Sequence, residues 1–171
     1  IYVNRNSEGK HSLFTRTRKN GNPPEYGPAS ELQEFKDLGF IAAPCLSADG
    51  LTLYAERIHS LAPQPNVLFR RVSRDALWGA PLDMTLRGLP GQGNLRFPFV
   101  SADGKWLFGC CENSSSGMVV LSSSDGGVSF GDPMIIEIPG VSGMRGKFPR
   151  YVSATHELFF CQDTTDPDKK I

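Results

Sequence analysis

Five basic residues and one acid have the types and placement that could do chemistry: Arg5, Arg57, Arg96, Arg145, Lys147 and Glu112. Arg5 and Arg57 each follow a short β-rich run, Ile1 to Asn4 and Leu51 to Glu56. Arg96 and Lys147 each open a basic-aromatic-proline triplet, Arg96-Phe97-Pro98 and Lys147-Phe148-Pro149. Arg145 lies in the glycine-bearing link ahead of the second triplet. A guanidinium is planar and holds both oxygens of a carboxylate, so arginines on loops carried by rigid elements suit anion recognition. The competing reading is ordinary solvated charge, balanced by nearby Asp and Glu. Glu56, Glu112 and Asp163 are the acids that could serve glycoside cleavage, which needs two carboxyls at a set separation.

Other chemistries find no pattern. His11, His59 and His156 occupy unrelated places, and no G-x-S-x-G elbow surrounds the serine-rich stretches. No glycine-rich phosphate loop follows a strand and opens a helix, and metal-ligand spacing is absent. We therefore expect no catalytic residue, no metal and no cofactor. Lys+Arg 18 against Asp+Glu 18 gives a formal charge of zero, which does not mark a nucleic-acid binder. No apolar run approaches the roughly 20 residues of a membrane span. Cys45, Cys110, Cys111 and Cys161 include no C-x-x-C, and free cysteine favours burial at a strand end; a disulfide or a metal pair is the alternative. Asn113-Ser114-Ser115 is a glycosylation sequon of the kind that arises often by chance. With no initiating Met, no signal-peptide pattern and a strand-like Ile1-Tyr2-Val3 opening, the sequence reads as a piece cut from something longer.

The elements that must position these residues come from a repeat. Ser47-Ala48-Asp49-Gly50-Leu51-Thr52-Leu53-Tyr54 returns as Ser101-Ala102-Asp103-Gly104-Lys105-Trp106-Leu107-Phe108, and a worn copy runs from Val152 to Phe160. Leu53 lies 52 residues after Ile1, Leu107 lies 54 after Leu53, and Leu158 lies 51 after Leu107. A period of this length in a strand-rich chain signals a β-propeller blade. The expected fold is all-β: three four-stranded antiparallel repeats, 1–52, 53–106 and 107–157, with 158–171 starting a further repeat or a closing strand.

The second repeat shows the strands. Phe40 to Leu46 ends at the Asp49-Gly50 turn, Leu51 to Glu56 alternates, Val67-Leu68-Phe69 is a third strand, and Leu82 to Leu86 a fourth. The third repeat follows with Phe97 to Val100, Lys105 to Gly109, Met118 to Ser122 and, after a Phe130-Gly131-Asp132-Pro133 turn, Met134 to Ile138. An Asp-Gly pair between alternating runs marks a hairpin, because glycine accepts the positive φ of the tight turn. Tyr26, Trp78 and Phe130 recur every 52 residues, as an aromatic that fills the space between neighbouring sheets would. Ser30-Glu31-Leu32-Gln33 reads as a helix capping box, while the repeat register asks for a strand. The register is favoured for its start, with a helical turn after it.

These residues resemble the WD-like β-propeller repeat of the TolB type: Pro44 before Ser47-Ala48-Asp49-Gly50, Pro98 before Ser101-Ala102-Asp103-Gly104, and the strands Leu53-Tyr54 and Leu107-Phe108 after them. Alanine stands at 48 and 102 where that pattern has proline, and Thr155-His156 stands where Asp-Gly is expected. Ser123-Ser124-Asp125-Gly126-Gly127-Val128-Ser129-Phe130 is similar to the Asp-box of sialidase-like propellers, and Ser73 to Trp78 is a degraded version. The Asp-box is a structural turn, closed by local side-chain hydrogen bonds.

The resemblance implies a non-enzymatic binding or scaffold module that presents loops of a propeller face to a protein or a small anionic or carbohydrate ligand. Its alternative is part of a sialidase-like glycoside hydrolase, whose site would draw on further blades. A peptidase lid is a third reading and would need a hydrolase domain. The resemblance also implies a periplasmic or extracellular location. Three blades leave edges, so the expected partner for closure is a second copy, giving a six-bladed ring, or the rest of a longer propeller. On the binding reading, Arg57→Ala or Arg96→Ala should weaken binding with the fold intact.

Overall fold

The structure is a computed structural model, and it describes residues 1–5, 11–21, 23–36, 40–58, 65–89, 95–111, 117–137 and 146–162. The described residues are all-β with no α-helix. Strands β1 (Tyr2–Arg5), β2 (His11–Thr15) and β5 (Ser30–Glu31) form one antiparallel sheet, and β3 (Arg18–Lys19) and β4 (Glu25–Tyr26) a small hairpin beside it in sequence. Next comes a four-stranded antiparallel, blade-like sheet in sequence order: β6 (Phe40–Leu46), β7 (Thr52–Ile58), β8 (Val67–Arg70) and β9 (Leu82–Asp83). The order repeats in β11 (Leu95–Val100), β12 (Trp106–Cys111), β13 (Met118–Ser122) and β14 (Ser129–Ile135), with β10 (Thr85–Leu86) added alongside β14. β15 (Gly146–Val152) and β16 (Glu157–Gln162) form a two-stranded sheet.

The central strands are buried on both faces, which is why Val67-Leu68-Phe69 reads as a continuous apolar run rather than an alternating one. Two junctions between successive sheets each have a core of their own. Leu13, Phe35, Ile41, Leu53, Val67, Phe69 and Trp78 fill the first. Tyr54, Leu68, Leu107, Val119, Leu121 and Phe130 belong to the second. The fixed aromatics serve these junctions at two of three places: Trp78 lies edge-on to Phe35 and Phe130 edge-on to Tyr54, while Tyr26 is exposed, against expectation.

The β6–β7 and β11–β12 turns are locked the same way. Ser47 Oγ donates to Asp49 at 2.6 Å, Asp49 accepts from Leu51 N at 2.8 Å, and Thr52 N donates back to Ser47 Oγ at 2.9 Å. Ser101, Asp103, Lys105 and Trp106 repeat the arrangement. Asp125 closes the β13–β14 turn by accepting from Ser129 Oγ and from the backbone of Val128 and Ser129. The serine hydroxyls, and next the backbone N–H groups, hold all three carboxyls below the usual aspartate range. A carboxyl whose folded pKa is depressed adds stability above its unfolded pKa of about 4 and loses it as pH falls through the lower folded value. The urea midpoint should therefore drop between pH 5 and pH 2, a window set by that unfolded value. Asp49→Asn, Asp103→Asn and Asp125→Asn together should flatten the drop.

Four sequence expectations need correction. The run from Leu82 to Leu86 is two strands, not one: Met84 is buried and its N–H donates to Asn66 O at 2.7 Å, and beyond it β10 leaves for the next sheet, where it pairs parallel to β14. Phe130 to Pro133 is not a turn but lies inside β14, whose irregularity is absorbed by a register shift and by Asp132 at φ 50. Cys161 is exposed rather than buried, whereas Cys45 and Cys111 are buried and all four cysteines are free thiols. The worn third turn keeps its length, but the positive φ moves one place along. Gly104 takes φ 71 in the second copy, and His156, the residue aligned with Lys105, takes φ 57 in the third. A left-handed residue with a Cβ costs about 1–2 kcal/mol. His156 offsets part of this through a 3.0 Å contact between its Nδ1 and Tyr151 Oη. His156→Gly should raise the unfolding free energy by about 0.5–1 kcal/mol after the added chain entropy is subtracted, read as a higher urea midpoint with unchanged m.

Candidate functional site

The first strands of three successive sheets, β6, β11 and β15, pack side by side. Each carries a bulge at the same place, between Ala42 and Cys45, Arg96 and Phe99, and Lys147 and Arg150. Inside each bulge the residue before proline has a positive φ: Ala43 at 46, Phe97 at 54 and Phe148 at 55. Such values are outliers for a bulky residue and are held only when the surroundings fix them. Bulges re-aim side chains, and here they bring two phenylalanines together. The Phe97 and Phe148 rings are 4.3 Å apart between centroids. Pro98 and Pro149 beneath them are buried, and Phe148 is half exposed.

A basic residue precedes each phenylalanine. Arg96 pairs with Glu56 at the end of β7, across the junction between two sheets. Its guanidinium also lies 5.5 Å from the Phe97 ring centre. Glu56 is buried and additionally accepts from Phe97 N at 3.4 Å. One sheet further on, Cys110 holds the strand position that Glu56 holds in β7, and Lys147 the position of Arg96. Burial first, and then neighbouring Cys111, push the Cys110 thiol up to about 11, while Lys147 and Arg96 pull it down. It is a neutral thiol at physiological pH. A base on one sheet thus faces Glu56 or Cys110 on the sheet before it, with an aromatic ring at its side.

Of the six residues expected at a site, the structure groups Arg96 and Lys147. Arg57 is instead engaged by Asp83 at 3.1 Å within its own sheet. The backbone of Arg5 pairs with His11 in the β1–β2 ladder. Glu112 and Arg145 lie outside the described residues, as does Asp163 among the acids considered for catalysis. Glu56, the remaining acid, is held by Arg96.

Asn66 escaped the sequence reading, and Cys45, read there only as a cysteine that favours burial, also makes a bond between sheets. Asn66 is buried and bonds both ways to β11, from Nδ2 to Leu95 O at 2.7 Å and from Leu95 N to Oδ1 at 3.1 Å. The signal was a lone amide directly before a fully apolar strand. Cys45 accepts from Val100 N at 3.3 Å, and its buried thiol is pushed up by desolvation. Both tie the four-stranded sheet to the one after it.

Among the described residues no His, Cys, Asp and Glu side chains gather to hold a metal. No described helix is long and apolar enough to cross a membrane. Comparison with known proteins found no matching family, no matching curated protein and no matching solved structure.

Proposed function

We propose that this chain is part of a TolB-type β-propeller that works as a non-enzymatic binding module, and that it binds at the strand ends where Arg96, Phe97, Lys147 and Phe148 meet. One observation carries the reading: two phenylalanines hold positive φ values at equivalent bulges, each directly after a basic residue. The strain belongs to the bulge, since Ala43 shares it, but two of the three bulges use it to present an aromatic ring beside a cation, which suits recognition. Such a surface suits a ligand with an apolar face and a carboxylate, on a saccharide or on a protein. Nothing specific favours a catalytic reading, since Glu56 is engaged by Arg96 and Asp125 by its own turn.

The test is an amide-shift titration with glucuronate, and with glucose as its neutral counterpart. Glucuronate should move the amides of Arg96, Phe97, Lys147 and Phe148, and glucose should bind more weakly. Lys147→Ala and Phe148→Ala should each weaken glucuronate binding about tenfold, or ~1.4 kcal/mol. Shifts confined to other residues, or none at all for either sugar, would refute the assignment.

A further inference from the structure

We infer that the loop 70–79 between β8 and β9, with its counterpart in the first sheet, is a docking surface for an anionic lipid bilayer. Val72 and Leu77 enter the headgroup layer, and the basic residues around them meet lipid phosphates. This surface is separate from the strand ends that carry Arg96 and Lys147. β6 and β8 are both antiparallel to β7, so Arg70, at the end of β8, lies at the Asp49-Gly50 end of its sheet. Arg96 is near the start of β11, the next sheet's counterpart of β6, and so at the other end.

Val72 is 93% exposed and Leu77 78%, the two highest values for large apolar side chains among the described residues. Both stand on a fastened loop. Gly79 N donates to Arg70 O at 2.7 Å and closes it, and Arg71 N donates to Leu51 O at 3.0 Å. Arg71 Nε donates to Gly50 O at 2.8 Å and Arg74 Nε to Asp49 O at 2.9 Å, which ties the loop to the β6–β7 turn. The Arg71 guanidinium lies 4.4 Å from the ring centre of Trp78, and Trp78 is buried in the core between the first two sheets. Carbonyl oxygens and a ring fix the position of these arginines without cancelling their charge.

The first sheet repeats the loop from Arg16 to Gly27, where Gly27 N donates to Thr17 O at 2.9 Å. The pairings of Tyr2 with Phe14 and of Tyr54 with Leu68 make Arg16 the counterpart of Arg70. Arg16, Arg18 and Lys19 are exposed there, as is Tyr26. The two loops hold six basic residues against Glu25 and Asp75, a surplus of four, or of three with Asp49 of the adjoining turn. The third sheet's counterpart, Ser122 to Gly131, has no basic residue and one acid, Asp125. On a chain with no net charge this is a segregated positive surface. A bilayer is the occupant that uses both features. Val72 at 93% exposure stands at an apex and lines no groove, so a protein partner would need a pocket shaped to take it. The phosphates of a nucleic acid offer Val72 and Leu77 nothing. The boundary between headgroups and acyl chains takes apolar tips without a matching shape, with arginines beside anionic headgroups and a tyrosine at the interface.

Sedimentation of the intact chain with vesicles tests this, one set of phosphatidylcholine alone and one of phosphatidylcholine and phosphatidylglycerol in equal parts. The chain should sediment with the mixed vesicles, less so as salt rises, and bind phosphatidylcholine alone far more weakly. The double variant Val72→Ser with Leu77→Ser should weaken binding to mixed vesicles about tenfold, and Arg70→Ala about fivefold. Circular dichroism should be unchanged in both, because all three side chains are exposed. No sedimentation with either vesicle overturns the inference. So does equal binding to the two vesicles, or equal binding by the double variant and the natural chain. Poly-glutamate supplies negative charge without a bilayer. Binding to it as tight as to mixed vesicles, and indifferent to the double variant, would mean that the partner is an acidic protein, and equally overturns it.

Discussion

Arg96→Ala should lower the unfolding free energy by about 3–5 kcal/mol, whereas Arg57→Ala should cost less than about 1 kcal/mol. The sequence places Arg57 after a β-rich run and Arg96 at the head of a basic-aromatic-proline triplet, and it treats both as dispensable for folding. The structure separates them. Arg57 meets Asp83, whose side chain is 63% exposed, so water can replace the lost partner. Arg96 meets Glu56, whose side chain is 5% exposed, and alanine would leave that carboxylate buried without its cation. Removing one member of a buried pair is costly because the other keeps its desolvation penalty. The control is the double variant Glu56→Met with Arg96→Met, which removes both charges and fills the volume. It should return to within about 1–2 kcal/mol of the natural chain, since apolar replacements of buried pairs are often near neutral. Urea unfolding at pH 7 measures all three. A small loss in Arg96→Ala would mean that Glu56 reaches water when Arg96 is gone, and that the pair does not bind the two sheets together.

Because Arg96→Ala should also weaken the fold, Lys147 and Phe148 are the better probes of binding. What the sequence made legible was whatever is encoded locally. The Asp49-Gly50 and Asp103-Gly104 turns are written in four consecutive residues and form as read. The strands that flank them follow from short apolar runs bounded by those turns. The shift from strand to 3-10 turn at Gln33–Phe35 also follows from reading the register first and the helical composition second.

What stayed hidden depends on contacts between distant segments. Phe97 and Phe148 take backbone angles that no local propensity predicts, because the neighbouring strands and the following prolines hold them there. β10 pairs with a strand more than forty residues on, and Leu82 to Leu86 carries no mark of where the chain changes sheets. Asn66 looks like an ordinary loop residue until Leu95 is placed beside it. The pairing of Glu56 with Arg96 joins residues on two sheets, and only the packing of β11 against β7 brings them together. The repeat announced which positions are equivalent, but not which side chains would face each other across a junction.

Gly127→Ala should be among the most damaging single-methyl additions in this chain, because it meets both a backbone and a packing obstacle. Gly127 has φ 85 and is buried, and a Cβ there would collide with Tyr54 Oη from the preceding sheet. Gly126, its neighbour, has φ 70 but nothing within 4 Å of a Cβ. Gly126→Ala therefore isolates the left-handed penalty, about 1–2 kcal/mol. Gly127→Ala adds the cost of overpacking, about 1–3 kcal/mol more. Tyr54 cannot simply swing aside: it is 2% exposed, lies edge-on to Phe130 at 6.3 Å, and is desolvated enough that its hydroxyl is pushed up to about 12. Tyr54→Phe removes the atom that the new methyl strikes. In that background Gly127→Ala should cost about 1–2 kcal/mol, matching Gly126→Ala. The difference between the two backgrounds measures how tightly the turn after β13 seats on Tyr54. If Gly127→Ala costs no more than Gly126→Ala in the natural chain, the turn has room to lift, and the junction between these two sheets rests on Leu68, Leu107 and Phe130 instead.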